Sequence, residues 1–207
     1  MKKIIILISS LSIISSLCLA DTISNPWNFQ INIGQNTSAG NIKLSNGSES
    51  LSRPSTTTPL FLGFNSFYKF SNSQWAGLGF NIEDLHNVQE MSGYPNYYTV
   101  MGNLPIYAIY RLNLLNNSIF LPYFEGKLGL DFAHAPNFGC TYNPGLFWSA
   151  GIGTTFKNTQ LWFVNLSNIN FELNIEDGNV YATNNNQQGT KINYMRYGVS
   201  MGYNFNI

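Results

Sequence analysis

The chain has 207 residues, with ten Lys and Arg against ten Asp and Glu; charged residues make up 10% of it and Phe, Trp and Tyr 15%. That length suits one domain, and a neutral balance with no basic patch argues against nucleic acid as a partner. Few charges beside many rings describe a surface that water does not have to solvate, whereas 44% apolar content is ordinary. The class has to be sought in periodicity.

The amino end, MKKIIILISSLSIISSLCLA, carries Lys2 and Lys3, then an apolar run from Ile4 diluted by serines, then the small residues Cys18 and Ala20. It reads as a secretory signal peptide over residues 1–20, removed from the mature protein. A retained membrane helix fits less well, because the run falls short of the roughly 20 apolar residues a span needs. Cys18 invites a lipoprotein reading, but Leu17 stands where such signals place a small residue. The expected mature domain, residues 21–207, has eight bases (ten less Lys2 and Lys3) against ten acids, a net of −2. Cys140 is its single cysteine, so no internal disulfide can form. With no metal-ligand spacing and no neighbouring His, Cys140 reads as an incidental loop thiol.

Strands follow by their period of two. Trp27, Phe29, Ile31 and Ile33 alternate with Asn28, Gln30, Asn32 and Gly34; the polar stretch to Pro54 and beyond, residues 45–58, reads as a loop. The second run sets Leu60, Leu62, Phe64, Tyr68 and Phe70 against Gly63, Asn65 and Lys69, and turns at residues 71–74. The third sets Ala76, Leu78, Phe80 and Ile82 against Gly77, Gly79, Asn81 and Glu83, and a loop takes residues 86–97. In the fourth, Val100, Leu104, Ile106, Ala108, Tyr110 and Leu112 oppose Asn103, Tyr107 and Arg111. In the fifth, Phe120, Phe124, Leu128, Leu130 and Phe132 oppose Tyr123, Glu125, Lys127 and Asp131, before a loop at 133–143. The sixth sets Leu146, Trp148, Ala150, Ile152 and Phe156 against Ser149, Gly151, Gly153 and Thr155, and residues 157–160 make a short turn. The seventh starts at Trp162 and changes parity between Leu166 and Ile169, which predicts a bulge near Ser167. A long loop is then expected over residues 174–192. The eighth and longest run puts Met195, Tyr197, Val199, Met201, Tyr203, Phe205 and Ile207 opposite Tyr194, Arg196, Gly198, Ser200, Gly202, Asn204 and Asn206.

An even number of strands joined by connections that alternate long and short predicts an all-β fold, an eight-stranded antiparallel up-and-down transmembrane β-barrel. Its long loops face outward from the cell and both chain ends face the periplasm. A water-soluble barrel would alternate too, but with the polar face outside. Glu83, Arg111, Glu125, Lys127, Asp131 and Arg196 share one face, with Gly77, Gly79, Gly151 and Gly153 as small fillers. A cation at the lipid midplane costs roughly 2–4 kcal/mol, so this face is read as the lumen.

The stretch LPIYAIYRLNLLNNSIFLPYFEGKLGLDF, followed by GLFWSAGIGTTF, resembles the opacity-protein-type small outer-membrane barrels in Pro122, Tyr123 and Gly129 and in Ala150, Gly151 and Gly153. Glu125 and Lys127 depart from that pattern, standing where the family more often has small residues. The last run resembles the C-terminal insertion signal of outer-membrane barrels, carried here by Tyr203, Phe205 and Ile207, where that family usually closes on Phe or Trp. The resemblance implies location in the outer membrane of a Gram-negative-type bacterium, contact with outer-membrane lipid, and insertion by the barrel-assembly machinery. It leaves open an extracellular ligand or host surface met through the loops.

No catalytic, cofactor-binding or metal-binding residues emerge. The lipid A deacylase pattern of a His and a Ser two residues apart is broken, since Val88 follows His86 and Pro136 follows His134 at that spacing. No phosphate loop, zinc spacing or calcium loop is present. The expected role is structural or surface-interacting, with an ion network plugging the lumen. The alternative is a porin-like small channel for ions or hydrophobic solutes, and a lipid A-modifying enzyme comes third.

Overall fold

The computed structural model describes residues 26–38, 41–45, 50–54, 60–88, 99–115, 119–134, 140–157, 160–161, 164–165, 168–184 and 187–205. The expected signal peptide and Ile207 lie outside the described residues. Eight long strands carry the fold: β1 (Trp27–Ser38), β2 (Leu60–Lys69), β3 (Gln74–Val88), β4 (Thr99–Asn113), β5 (Phe120–His134), β6 (Gly145–Phe156), β7 (Ile169–Asn184) and β8 (Gln187–Phe205). Each pairs antiparallel with its neighbours in sequence, and β8 returns to pair with β1, which closes the barrel.

The registers fix the barrel's slope. The lateral row Phe205, Phe29, Ser66, Leu78, Ala108, Leu128, Trp148, Asp177, Met195 passes through all eight strands and comes back to β8 ten positions (205 − 195) from its start. A stagger of ten over eight strands, at standard strand spacings, tilts the strands by about 40° and leaves an interior only wide enough for side chains.

Every residue of that row faces outward. The outer wall is apolar: Leu78 is 68% exposed, Leu128 60% and Leu173 58%. The core of an ordinary soluble domain is here turned outside, as a hydrocarbon solvent requires. Rings gather at the periplasmic rim, with Trp27 against Tyr68 at 5.2 Å, Tyr68 against Phe70 at 5.2 Å, Phe29 against Phe205 at 5.8 Å and Phe120 against Phe156 at 5.0 Å. This is the lower aromatic girdle of a membrane barrel. Further up the wall Trp148 Nε1 donates to Asp177 Oδ2 at 3.1 Å, so the outward carboxylate in this row is met by an interfacial ring.

On the periplasmic side, β2 turns into β3 where Ser71 Oγ accepts the N–H groups of Ser73 and Gln74 at 3.2 and 3.1 Å. The turn expected at 157–160 is instead a connection running to Asn168, and it contains a two-residue hairpin of Gln160–Leu161 with Val164–Asn165. Strand β7 therefore starts at Ile169, and the parity change ahead of it is not a bulge in a barrel strand. Asn168 holds φ at 68°, a left-handed turn that asparagine tolerates. From there its N–H donates to Phe156 O at 2.8 Å and its carbonyl accepts from Asn204 N at 2.9 Å. Trp162 and Ser167 lie outside the described residues.

On the extracellular side the expected loops shorten. Within the expected loop 174–192, residues 174–184 and 187–192 belong to a tall antiparallel pairing of β7 with β8 that runs from Asn174↔Gly198 up to Asn184↔Gln187. Within the expected loop 45–58, Ser50–Pro54 pairs with Asn41–Ser45, which in turn lies along Lys191–Asn193 of β8. Strands β3 and β5 extend to Val88 and His134. Cys140 begins a strand, Cys140–Asn143, that pairs with Tyr181–Asn184 of β7. One side of the barrel thus rises into a sheet in the order 50–54, 41–45, β8, β7, 140–143.

Candidate functional site

Alternation that sends the apolar side chains to lipid sends everything else to a closed interior. The six expected lumen residues are all buried there: Arg111 and Asp131 at 0% exposure, Arg196 at 2%, Glu83 at 4%, Glu125 at 5% and Lys127 at 9%. They form two separate groups rather than one network, each completed by an acid from β7.

The periplasmic group is built on the β4–β5 hairpin, whose register sets Arg111 directly opposite Glu125. Arg111 donates Nε and Nη2 to Glu125 Oε2 at 2.8 and 2.5 Å and reaches Gln30 Oε1 on β1 at 2.7 Å. Its guanidinium carbon lies 4.1 Å from the centre of the Tyr123 ring and 4.6 Å from that of Phe67, so two rings stand within cation–π range of it. Lys127 bridges Glu125 at 3.1 Å to Glu172 of β7 at 3.3 Å. Glu172 also accepts the Tyr123 hydroxyl at 3.2 Å. Two cations here face two carboxylates.

Above it, Phe67, Tyr107, Ile109 and Phe147 form an apolar cluster with Trp75 packed against it. The Tyr107 hydroxyl lies 2.7 Å from Asn81 Oδ1 and 3.0 Å from Asn65 Oδ1. Rings of this size fit because glycines stand opposite them: Gly79 pairs with Tyr107, Gly153 with Tyr123 and Gly178 with Tyr194. A Cβ on Gly79 would come 2.7 Å from Tyr107 Cε2, and one on Gly153 or Gly178 would run into the facing tyrosine ring. The glycines are thus the space the tyrosines occupy, which explains their role as small fillers.

The extracellular group is centred on Arg196, whose Nη2 lies 2.6 Å from Glu83 Oε2 and 2.6 Å from Glu176 Oε1, with its carbon 4.2 Å from the Tyr194 ring. Asn36 Nδ2 donates to Glu176 Oε1 at 2.9 Å. Asp131 accepts from Tyr194 and, at 3.2 Å, from Asn103 Nδ2. Two carboxylates, Glu83 and Glu176, share the Arg196 guanidinium, while Asp131 is held by Tyr194 and Asn103.

Sequence reasoning missed Glu172 and Glu176. Glu172 was legible, since it lies between the apolar Phe171 and Leu173 of one strand. Glu176 fell within the stretch expected as a loop. Among the described residues no three Asp, Glu, His or Cys side chains are grouped to hold a metal. His86 and His134 sit on β3 and β5, paired with Met101 and Gly102. Of the expected insertion signal, Tyr203 faces outward and Phe205 stacks on Phe29.

No protein-family model and no curated relative matches the chain. Solved structures do match. The outer membrane protein OprG from Pseudomonas aeruginosa superposes with a TM-score of 0.52 at 12% identity, over 88% of this chain and 98% of that one. The outer membrane protein AlkL, determined in lipid bilayers, gives 0.52 at 11% identity, over 88% and 91%. The chain has the fold of the small eight-stranded outer-membrane barrels, and its apolar wall is the one such a barrel turns to lipid.

Proposed function

We propose that this outer-membrane barrel is a structural or surface-interaction protein whose lumen is plugged and whose work is done by the segments facing out of the cell. The observation that carries the reading is the manner in which Arg111 is held. A cation within cation–π range of Tyr123 and Phe67, fixed by three hydrogen bonds, and joined through Glu125, Lys127 and Glu172 to strands on both sides spans the interior from β1 to β7. The rising sheet of β7, β8 and their flanking strands supplies an outward surface, suited to an extracellular ligand or a host surface. Insertion by the barrel-assembly machinery, read from Tyr203, Phe205 and Ile207, belongs to the same proposal.

Planar-bilayer recording of the refolded barrel tests the plug: no defined conductance steps are expected, and reproducible steps abolished or altered by Arg111→Ala would defeat it. Deleting residues 182–189 tests the surface role, with loss of cell attachment expected.

A second reading has one observation in its favour. On the lipid-facing wall Gly126 pairs with Ala150, and these small residues floor an apolar hollow of about 690 Å³ bounded by Tyr110, Phe124, Ile152 and Ile175. Sideways passage of hydrophobic solutes would use it. Gly126→Trp would then block uptake of an apolar dye by cells; unchanged uptake removes this reading.

A further inference from the structure

The lipid-facing wall is not evenly built. One lateral row of outward residues runs Tyr110, Gly126, Ala150, Ile175, Tyr197, crossing from β4 to β8. Its neighbours along each strand are bulky where this row is small: Gly126 lies between Phe124 and Leu128 on β5, and Ala150 between Trp148 and Ile152 on β6. Phe124, Leu128 and Ile152 are each more than half exposed and stand out from the wall as rims. A Cβ on Gly126 meets nothing within 4 Å, so the floor is open space rather than a gap that neighbours have closed. The result is a furrow, the hollow of about 690 Å³, with a tyrosine at each end.

Its dimensions are those of one hydrocarbon chain. Four strand spacings of roughly 4.8 Å put the two tyrosine positions about 19 Å apart, and a row perpendicular to strands tilted by about 40° climbs about 12 Å over that length. Tyr197 stands eight residues (205 − 197) above Phe205 on β8, which at the same tilt is about 20 Å above the lower aromatic girdle. The furrow therefore descends from the outer leaflet to just beyond the midplane of an apolar band about 25 Å tall. Across its width, the backbone positions of Phe124 and Leu128 are about 13 Å apart, which leaves room for a single chain between the rims.

Position in the bilayer decides the occupant. The furrow is continuous with the lipid-facing wall, no water reaches that depth, and an unfilled gap would forfeit dispersion contacts of every side chain that lines it. The convex wall of a second barrel would bridge the rims and leave the floor empty, whereas a flexible chain reaches it. We infer that the furrow holds one acyl chain of an outer-leaflet lipid as a bound ligand, set apart from the exchanging lipid around the rest of the wall. The inference shares its hollow with the solute-passage reading but does not rest on transport or on the plugged lumen: unchanged dye uptake or conductance steps would remove those readings and leave the bound lipid to be counted.

Native mass spectrometry of the barrel refolded into dimyristoylphosphatidylcholine nanodiscs tests it. As collisional activation strips the surrounding lipid, the wild type is expected to keep one lipid per barrel. Gly126→Leu and Ala150→Leu raise the floor from two different strands with apolar bulk, and each should lower the ratio of lipid-bound to lipid-free barrel roughly tenfold or more. Leu62→Phe adds bulk to β2 on the far wall and should leave the ratio unchanged. No retained lipid in the wild type, retention undiminished in both leucine variants, equal loss in Leu62→Phe, or a second barrel retained in place of the lipid would each overturn the assignment.

Discussion

Replacing Arg111 with methionine removes the cation from the periplasmic group while keeping much of its volume. Two hydrogen bonds to Glu125 and one to Gln30 are lost, and the rings of Tyr123 and Phe67 lose their charged partner. Glu125 keeps only Lys127, which Glu172 also needs, so the group changes from two cations against two carboxylates to one against two. Removing one partner of a buried ion pair costs about 3–5 kcal/mol, most of it the desolvation of the charge left behind. The paired change Arg111→Met with Glu125→Gln removes both charges and should restore most of that loss. Urea unfolding of the refolded barrel in lipid vesicles, followed by tryptophan fluorescence, measures both: Trp75, with its ring 5.7 Å from the Arg111 carbon, reports on the site. A loss under about 1 kcal/mol for the single variant would mean that water screens the pair, as in surface ion pairs, and would refute the account of a dry interior.

Three further substitutions probe the two faces. Gly153→Ala places a Cβ against the Tyr123 ring and should cost about 1–3 kcal/mol by overpacking. Gly126→Ala on the outer wall meets nothing within 4 Å and should leave the unfolding midpoint unchanged or raise it slightly. Leu128→Arg, on the lipid face at 60% exposure, should destabilise by about 2–4 kcal/mol in bilayers, the cost of a cation near midplane; a neutral result there would place Leu128 in water.

The strands were legible wherever hydrocarbon demands an apolar wall. From Leu60 to Phe70, or Phe120 to Phe132, the exposed residues are those that alternate as apolar. The upper parts of β7 and β8 were not, for a physical reason. The stagger of ten carries these strands above the belt, where both faces are wet and nothing forces alternation; Asp177, Asn179 and Lys191 can then face outward, and the stretch looks like a loop. The connection before β7 misled in the opposite sense, since Val164, which the sequence pattern assigned to the seventh strand, pairs with Leu161 in a separate two-residue hairpin. Of the lumen, the charges of β3, β4, β5 and β8 could be placed by parity alone. Their division into two groups could not, because it depends on Glu172 and Glu176 and on the slope of the registers. The tyrosine–glycine pairs needed registers too, since Gly178 and Tyr194 meet across a hairpin whose existence the sequence did not declare.

The central claim is that the apolar wall faces lipid and the ionic side chains face the lumen. Variants that each retain one tryptophan, refolded into vesicles of brominated lipid, test it most directly. Trp148 lies on the outer wall and Trp75 lies inside, against Phe67 and Arg111. The account predicts strong quenching of Trp148 by the brominated chains and little or none of Trp75. Quenching of Trp75 with Trp148 spared would contradict it and turn the barrel inside out.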